Sequence, residues 1–213
     1  MDMIEQLSLA GLVPVIKVED AADAVPLCKA LSDGGLPVAE ITFRSDAAEE
    51  AIRRVHAELP EVILGAGTVL TKEQVQLAHQ AGAQFILSPD TNLEIIAETK
   101  RRQMLSFPGA LTPSEIQCAY AAGADFVKLF PAGTLGVPYI KAVRGPLGYI
   151  PMSAVGGVRP ETIADFLNVG VCGFGVGGEL VKKEFVRSGD MNALTSRAQK
   201  FVHAIEQWEA NRS

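Results

Sequence analysis

Eight short apolar, β-branched runs alternate with amphipathic, Ala/Glu-rich segments along all 213 residues, and this predicts a parallel (β/α)8 barrel. Strict alternation of strand and helix patterns calls for parallel strands joined by crossover helices. Two further observations agree. The runs recur at a spacing of roughly two dozen residues, which suits a compact barrel. Three of the segments between them open on Thr with Glu or Gln three residues later, and several close on Gly, the punctuation of helix starts and stops.

In chain order the strand runs are Leu12–Val18, Val38–Phe43, Val62–Val69, Phe85–Pro89, Met104–Pro108, Phe126–Pro131, Ile150–Val155 and Val171–Val176. Helical patterns fill Asp20–Ser32, Ser45–Glu58, Thr71–Gln80, Thr91–Arg102 and Thr112–Ala121. Thr71 with Gln74, Thr91 with Glu94, and Thr112-Pro113 with Glu115 resemble capping boxes. Ala81-Gly82-Ala83 and Ala122-Gly123-Ala124 end their helices alike, and Gly34-Gly35 and Val169-Gly170 do so more loosely. Leu194, Ala198, Phe201, Ile205 and Trp208 share one stripe, which predicts a long C-terminal helix closing the barrel. Ile4 and Leu7 suggest a short N-terminal helix plugging its bottom. A doubly wound open sheet is the rival fold. It would grip phosphate after the first strand with glycines, and Lys17-Val18-Glu19-Asp20 has none.

The expected organisation is one domain spanning 1–213, because no Ser-, Pro- or Gly-rich stretch or charge block divides the chain. A formal charge of −6 argues against nucleic acid or an anionic membrane as partner. No apolar run approaches the ~20 residues of a membrane helix, and the start lacks the basic and apolar regions of a signal peptide. Cys28, Cys118 and Cys172 have neither disulfide nor metal spacing and are read as reduced, mostly buried thiols of a cytoplasmic protein. Metal chemistry finds no support: His56, His79 and His203 lie in helical segments, and Asp90 is a single carboxylate after the fourth run. Arg53-Arg54 and Lys100-Arg101-Arg102 read as solvated helix faces.

Polar residues interrupt two strands at informative places. In Ala39-Glu40-Ile41-Thr42-Phe43-Arg44 one face is apolar and the other is Glu, Thr and Arg. The apolar face must meet the helices, so Glu40, Thr42 and Arg44 are expected in the lumen. By the same parity Val127 and Leu129 lie under helices, and Lys128 faces the lumen between Phe126 and Phe130. A lumen is a packed interior where charge is costly unless paired or used. A structural ion pair between strands is one reading. The other is catalysis, since barrel enzymes project catalytic groups from the C-terminal ends of several strands, and a desolvated amine near another cation becomes a neutral nucleophile more easily. Glycines at the ends of the last two strands, Gly156-Gly157 and Gly177-Gly178, suit close backbone approach to an anion, although tight turns explain them as well.

At these residues the chain resembles the class I aldolases of 2-keto-3-deoxy-6-phosphogluconate (KDPG), some of which also cleave 4-hydroxy-2-oxoglutarate (KHG). The matching stretches are Val13-Pro14-Val15-Ile16, Glu40-Ile41-Thr42-Phe43-Arg44, Gly65-Ala66-Gly67-Thr68-Val69-Leu70, Ser88-Pro89, Phe107-Pro108-Gly109, Val127-Lys128-Leu129-Phe130-Pro131-Ala132 and Gly156-Gly157-Val158. The resemblance implies a Schiff-base aldolase without external cofactor, with Lys128 forming the imine and Glu40 as general acid/base. It implies that Arg44 and Thr68 hold the substrate carboxylate, that Pro89 and Phe130 shape the pocket, and that backbone at Gly156, Gly157, Gly177 and Gly178 holds a distal phosphate. It also implies a homotrimer.

Two positions depart from the gluconate-type pattern. Val155 stands where Thr usually precedes the paired glycines, and Gly178 falls where Ser is usual. The stretches Ala154-Val155-Gly156-Gly157-Val158 and Pro138-Tyr139-Ile140-Lys141-Ala142 are similar to the sister branch acting on the galactonate epimer. Two other functions remain open on sequence alone: a barrel isomerase or synthase using Lys128 as an electrostatic clamp, and a non-catalytic binder of a sugar-acid phosphate.

Overall fold

The computed structural model describes residues 11–212. Its strands are β1 (Leu12–Ile16), β2 (Val38–Thr42), β3 (Ile63–Gly67), β4 (Phe85–Leu87), β5 (Leu105–Phe107), β6 (Gly109–Ala110), β7 (Val127–Leu129), β8 (Met152–Val155) and β9 (Gly173–Val176). They are all parallel and form one sheet in the order β5-β4-β3-β2-β1-β9-β8-β7-β6. The two ends of that order, β5 and β6, are halves of one stretch of chain broken only at Pro108. The Pro108 carbonyl accepts the Lys128 N–H at 2.9 Å, so the ladder passes from β4 through β5 and β6 to β7 and the sheet closes into a barrel. The sequence reading ended this strand at Pro108. Proline lacks an N–H but keeps its carbonyl, so it interrupts the ladder on one side only.

The α-helices are α1 (Ala24–Asp33), α2 (Ala48–Glu58), α3 (Lys72–Ala81), α4 (Leu93–Arg101), α5 (Pro113–Ala121), α6 (Ala132–Leu147), α7 (Ile163–Asn168), α8 (Lys183–Ser188) and α9 (Met191–Ala210). Their ends follow local chemistry. Thr112 and Glu115 form a reciprocal capping box on α5, and the Thr71 hydroxyl accepts the Gln74 N–H at the start of α3. Gly82, at φ 103°, takes the left-handed position that stops α3. Thr91 is a correction: Asn92 caps α4 through the N–H groups of Glu94 and Ile95, while the Thr91 hydroxyl donates to the Gly109 carbonyl at 2.8 Å. Asn caps at least as well as Thr, which frees Thr91 to tie the loop to β6.

Side-chain contacts separate two apolar clusters by strand parity. Ala39, Ile41, Leu64, Ala66, Ile86, Val127, Leu129, Met152 and Ala154 pack outward with the helices. Val38, Phe85, Leu87 and Phe107 form the lumenal cluster, with Val13, Ile63, Leu105 and Phe126 against it. The Phe85 and Phe107 rings stack at 5.4 Å, and Phe126 meets Phe107 edge-on at 5.0 Å, so aromatic rings fill the lower lumen.

Helix α9 buries Leu194, Ala198 and Phe201 and partly buries Ile205 and Trp208, as the stripe predicts. It packs against α1, the first helix of the ring, and against α7 and α8, and the Trp208 indole N–H donates to Asn168 at 2.9 Å. The expected N-terminal helix at Ile4 and Leu7 lies outside the described residues. Of the cysteines only Cys28 is buried; Cys118 and Cys172 are exposed, because α5 buries Ile116 and Ala119 instead and Cys172 sits ahead of β9. Lys100 is also more than a solvated charge. It bonds Asp125 at 2.7 Å, and Asp125 accepts the Ser106 N–H at 2.7 Å, so the pair fastens α4 to the base of β5 and β7.

Candidate active site

Two strands carry charge into the lumen. Glu40 of β2 is 1% exposed and Lys128 of β7 is 7% exposed, each two residues along its strand from a member of the aromatic and aliphatic floor, Val38 and Phe126. At ~3.3 Å of rise per residue, this places both side chains one layer above that floor, toward the C-terminal rim. They are not in direct contact. Among the described residues neither makes an ion pair, and Glu40 Oε2 is a buried oxygen without a hydrogen-bond partner. A purely structural pair would bring the charges together, because burying them separately costs more. The arrangement instead leaves a polar gap between a carboxyl group and an amine at the end of a closed barrel.

The environment of each group follows from its neighbours. Burial pushes the Glu40 carboxyl above its ordinary range, and the positive charges of Lys128 and Arg44 oppose that rise only in part. Lys128 Nζ lies 5.3 Å from the centre of the Phe130 ring, within cation–π reach. Phe130 is 40% exposed and forms part of the rim. Its ring lies 3.3 Å from where a Cβ on Gly156 would stand, so the bare backbone of Gly156 (φ 90°) lets the ring rest there. The Gly156 carbonyl in turn accepts the Gly133 N–H at 2.8 Å, joining the end of β8 to the start of α6.

Arg44 corrects a sequence expectation. β2 ends at Thr42, the Arg44 N–H donates back to the Thr42 carbonyl at 2.7 Å, and strand parity no longer applies beyond that tight turn. Arg44 is therefore exposed on the rim instead of enclosed in the lumen. Thr42, which the sequence placed in the lumen without a role, holds it there. Its hydroxyl accepts from Arg44 Nε at 3.1 Å and donates to the Ile16 carbonyl at 3.1 Å. Arg44 also borders a surface hollow of about 450 Å³ between the β2–α2 loop and α3. Neither Lys128 nor Glu40 lines it, so buried charge, not the size of a hollow, marks the site.

The other expected site residues gather on the same rim. Thr68 follows β3 in a left-handed conformation, φ 54°. Such backbone costs a β-branched residue of order 1–3 kcal/mol and tends to occur at functional sites. Pro89 follows β4, half-buried, and its carbonyl lies 2.3 Å from a Cβ built on Gly109. Val155 is 6% exposed in the lumen at the end of β8, beside Gly175. Gly157 and Gly178 are exposed and Gly156 and Gly177 half-buried, past the ends of β8 and β9. Among the described residues no group of three or more His, Cys, Asp or Glu side chains is placed to hold a metal, and no helix is long and apolar enough to cross a membrane.

A closed parallel barrel with a buried lysine and carboxyl group beneath its C-terminal rim defines a barrel enzyme. The family comparison makes the class specific: the family model for KDPG and KHG aldolase matches residues 3–197, and the chain belongs to that family of carbon–carbon lyases. It is 38% identical to a 2-dehydro-3-deoxy-phosphogluconate aldolase of Haemophilus influenzae over 96% of this chain and 97% of that relative. Among solved structures it is similar to native KDPGal, with a TM-score of 0.87, 31% identity and coverage of 93% of this chain and 96% of that one. It is similar also to KDPG aldolase from Legionella pneumophila carrying pyruvate as a covalent carbinolamine, with a TM-score of 0.84, 28% identity and coverage of 90% and 95%.

Proposed function

We propose that the chain cleaves a 2-keto-3-deoxy-6-phospho sugar acid, the gluconate or its galactonate epimer, to pyruvate and glyceraldehyde 3-phosphate through an imine on Lys128. KHG cleavage to pyruvate and glyoxylate is a second activity of the same chemistry. The observation that carries this reading is the buried, separately placed Lys128 and Glu40 beneath the rim. The neutral amine of Lys128 attacks the C2 ketone, and Glu40 relays protons as the carbinolamine loses water. The protonated imine then accepts the C3–C4 bonding electrons as the C4 hydroxyl gives up its proton and the aldehyde departs. The enamine takes a proton at C3, and water releases pyruvate and regenerates the amine.

Arg44 and Thr68 would bind the carboxylate from the rim, Pro89 and Phe130 would wall the pocket, and the backbone at Gly156, Gly157, Gly177 and Gly178 would receive the phosphate. No external cofactor is needed, since the imine is the electron sink. The resemblance to family members supports a cytoplasmic, one-domain homotrimer. Reduction by borohydride in the presence of pyruvate tests the proposal. Permanent incorporation of one pyruvate unit is expected. A chain that turns over the substrate yet is never trapped would refute imine chemistry and favour a clamp role for Lys128.

Arg44→Ala is expected to raise KM for 2-oxo acids roughly ten- to hundred-fold, since a hydrogen bond to a charged group contributes about 1.5–3 kcal/mol. Exposure on the rim sets that modest scale. Steady-state kinetics with pyruvate-type and carboxylate-free ketones check it; equal losses on both would make Arg44 structural.

Val155 carries the stereochemical prediction. A Thr hydroxyl beside Gly156 could hydrogen-bond one C4 configuration, and Val lacks it. Wild type is expected to cleave the galactonate-type substrate at least as well as the gluconate-type, and Val155→Thr to shift kcat/KM toward the gluconate. Competition between epimers measures this, and an unchanged ratio in the variant would move the discrimination to another residue.

A further inference from the structure

The face of β3 that looks into the lumen carries Ile63 and then two glycines, Gly65 and Gly67. Neither has the left-handed backbone that requires glycine, so what matters is the missing side chain. A Cβ on Gly65 would stand 2.0 Å from Phe85 Cε2, overlapping the ring of a fully buried residue on the next strand. A Cβ on Gly67 would stand 1.7 Å from Glu40 Oε1, 2.4 Å from its Cδ and 2.6 Å from its Cγ. The two empty positions are thus filled from opposite sides, one by an aromatic ring and one by the site carboxyl group. No hydrogen bond among the described residues anchors that carboxyl group, and its Oε2 has no partner. Apart from the attraction of Lys128 and Arg44, shape is left to orient it.

We infer that Gly67 is a positioning residue for Glu40: its bare backbone is the niche that seats the carboxyl group opposite Lys128. The inference rests on the proposed acid/base role of Glu40. A methyl group at position 67 occupies the niche. The carboxyl group ends a flexible chain, whereas β3 is held on both edges by β2 and β4, so Glu40 moves and the strand stays. The neighbouring glycine behaves differently, because Phe85 is rigid and enclosed. Gly65→Ala therefore strikes at stability, and Gly67→Ala at turnover.

The test compares Gly67→Ala, Glu40→Ala and the double variant in cleavage kinetics, with thermal melting and circular dichroism as controls. Gly67→Ala is expected to keep the native spectrum and lose about a hundredfold or more in kcat, within the range of a misplaced general acid/base, with little change in KM. Its remaining activity should show the Glu40-dependent limb of the pH profile displaced to lower pH, because a carboxyl group pushed toward the rim is less desolvated. In the Glu40→Ala background, where the niche is empty, adding Gly67→Ala should change the residual rate by less than about threefold, the mark of two residues acting as a unit. Full turnover in Gly67→Ala beside a crippled Glu40→Ala would overturn the role of Gly67 alone. Full turnover in Glu40→Ala would overturn the acid/base reading, and this inference with it. Should Gly67→Ala fail to fold, a folded double variant supports the niche and an unfolded one refutes it.

Discussion

Lys128→Arg is expected to abolish both borohydride trapping of pyruvate and aldol cleavage, with the far-ultraviolet spectrum unchanged. Guanidinium stays protonated and cannot become the nucleophile, so the loss is complete instead of graded. Lys128→Met, which keeps the bulk of the stem in a site only 7% exposed and removes the buried charge, should be equally inactive. Mass spectrometry of the reduced wild-type protein should find the adduct on Lys128. Lys17, bonded to Glu19 at 2.6 Å, and Lys141, exposed on α6, are the natural controls. An adduct on either would refute the assignment.

Glu40→Gln carries the next largest effect, a fall in kcat of roughly 10²–10⁴, the usual contribution of a positioned general acid/base. The same substitution also acts on stability, with a sign that depends on pH. Burial raises the carboxyl pKa in the folded chain against the pull of Lys128 and Arg44, so the native state holds this proton more tightly than the unfolded state does. The wild type therefore loses stability as pH rises from the ordinary carboxylate pKa through the raised one, and below that window it loses nothing. Glutamine is nearly isosteric and never charges. The variant should melt higher than wild type above the window, and the difference should vanish at acid pH. Melting curves across a pH series read both limbs, and a Gln variant less stable than wild type at neutral pH would show that the carboxylate is favourably solvated in the lumen.

Most of the fold was legible because its signals are local. Two-residue periodicity assigned Lys128 to the lumen and Val127 and Leu129 to the helix side, and the structure divides them that way. Thr112 with Glu115 and the stop at Gly82 are visible within a few residues. Three of the readings that needed correction depended on a distant partner. Thr91 lost the cap of α4 to Asn92 because its hydroxyl is engaged by Gly109, and Lys100 left the solvated face for Asp125. The strand through Pro108 continued because β7 was there to accept its pairing, with Gly109 opposite Lys128. Arg44 moved to the rim because its strand ended two residues earlier, a boundary the alternating pattern does not mark.

The sequence by itself determined the barrel, the side of each strand that faces inward, and the residue types available for imine chemistry. These follow from the pleat and from helix-end preferences, which act over a few bonds. Only the tertiary structure decided that Glu40 and Lys128 stand in one layer without touching, that Phe130 lies over the amine, and that Gly67 gives its space to a carboxyl group from another strand. Those relations depend on the stagger of strands around a closed sheet. Stagger is settled by how rings such as Phe85, Phe107 and Phe126 fill the lumen together, a packing condition on the whole barrel that no single segment contains.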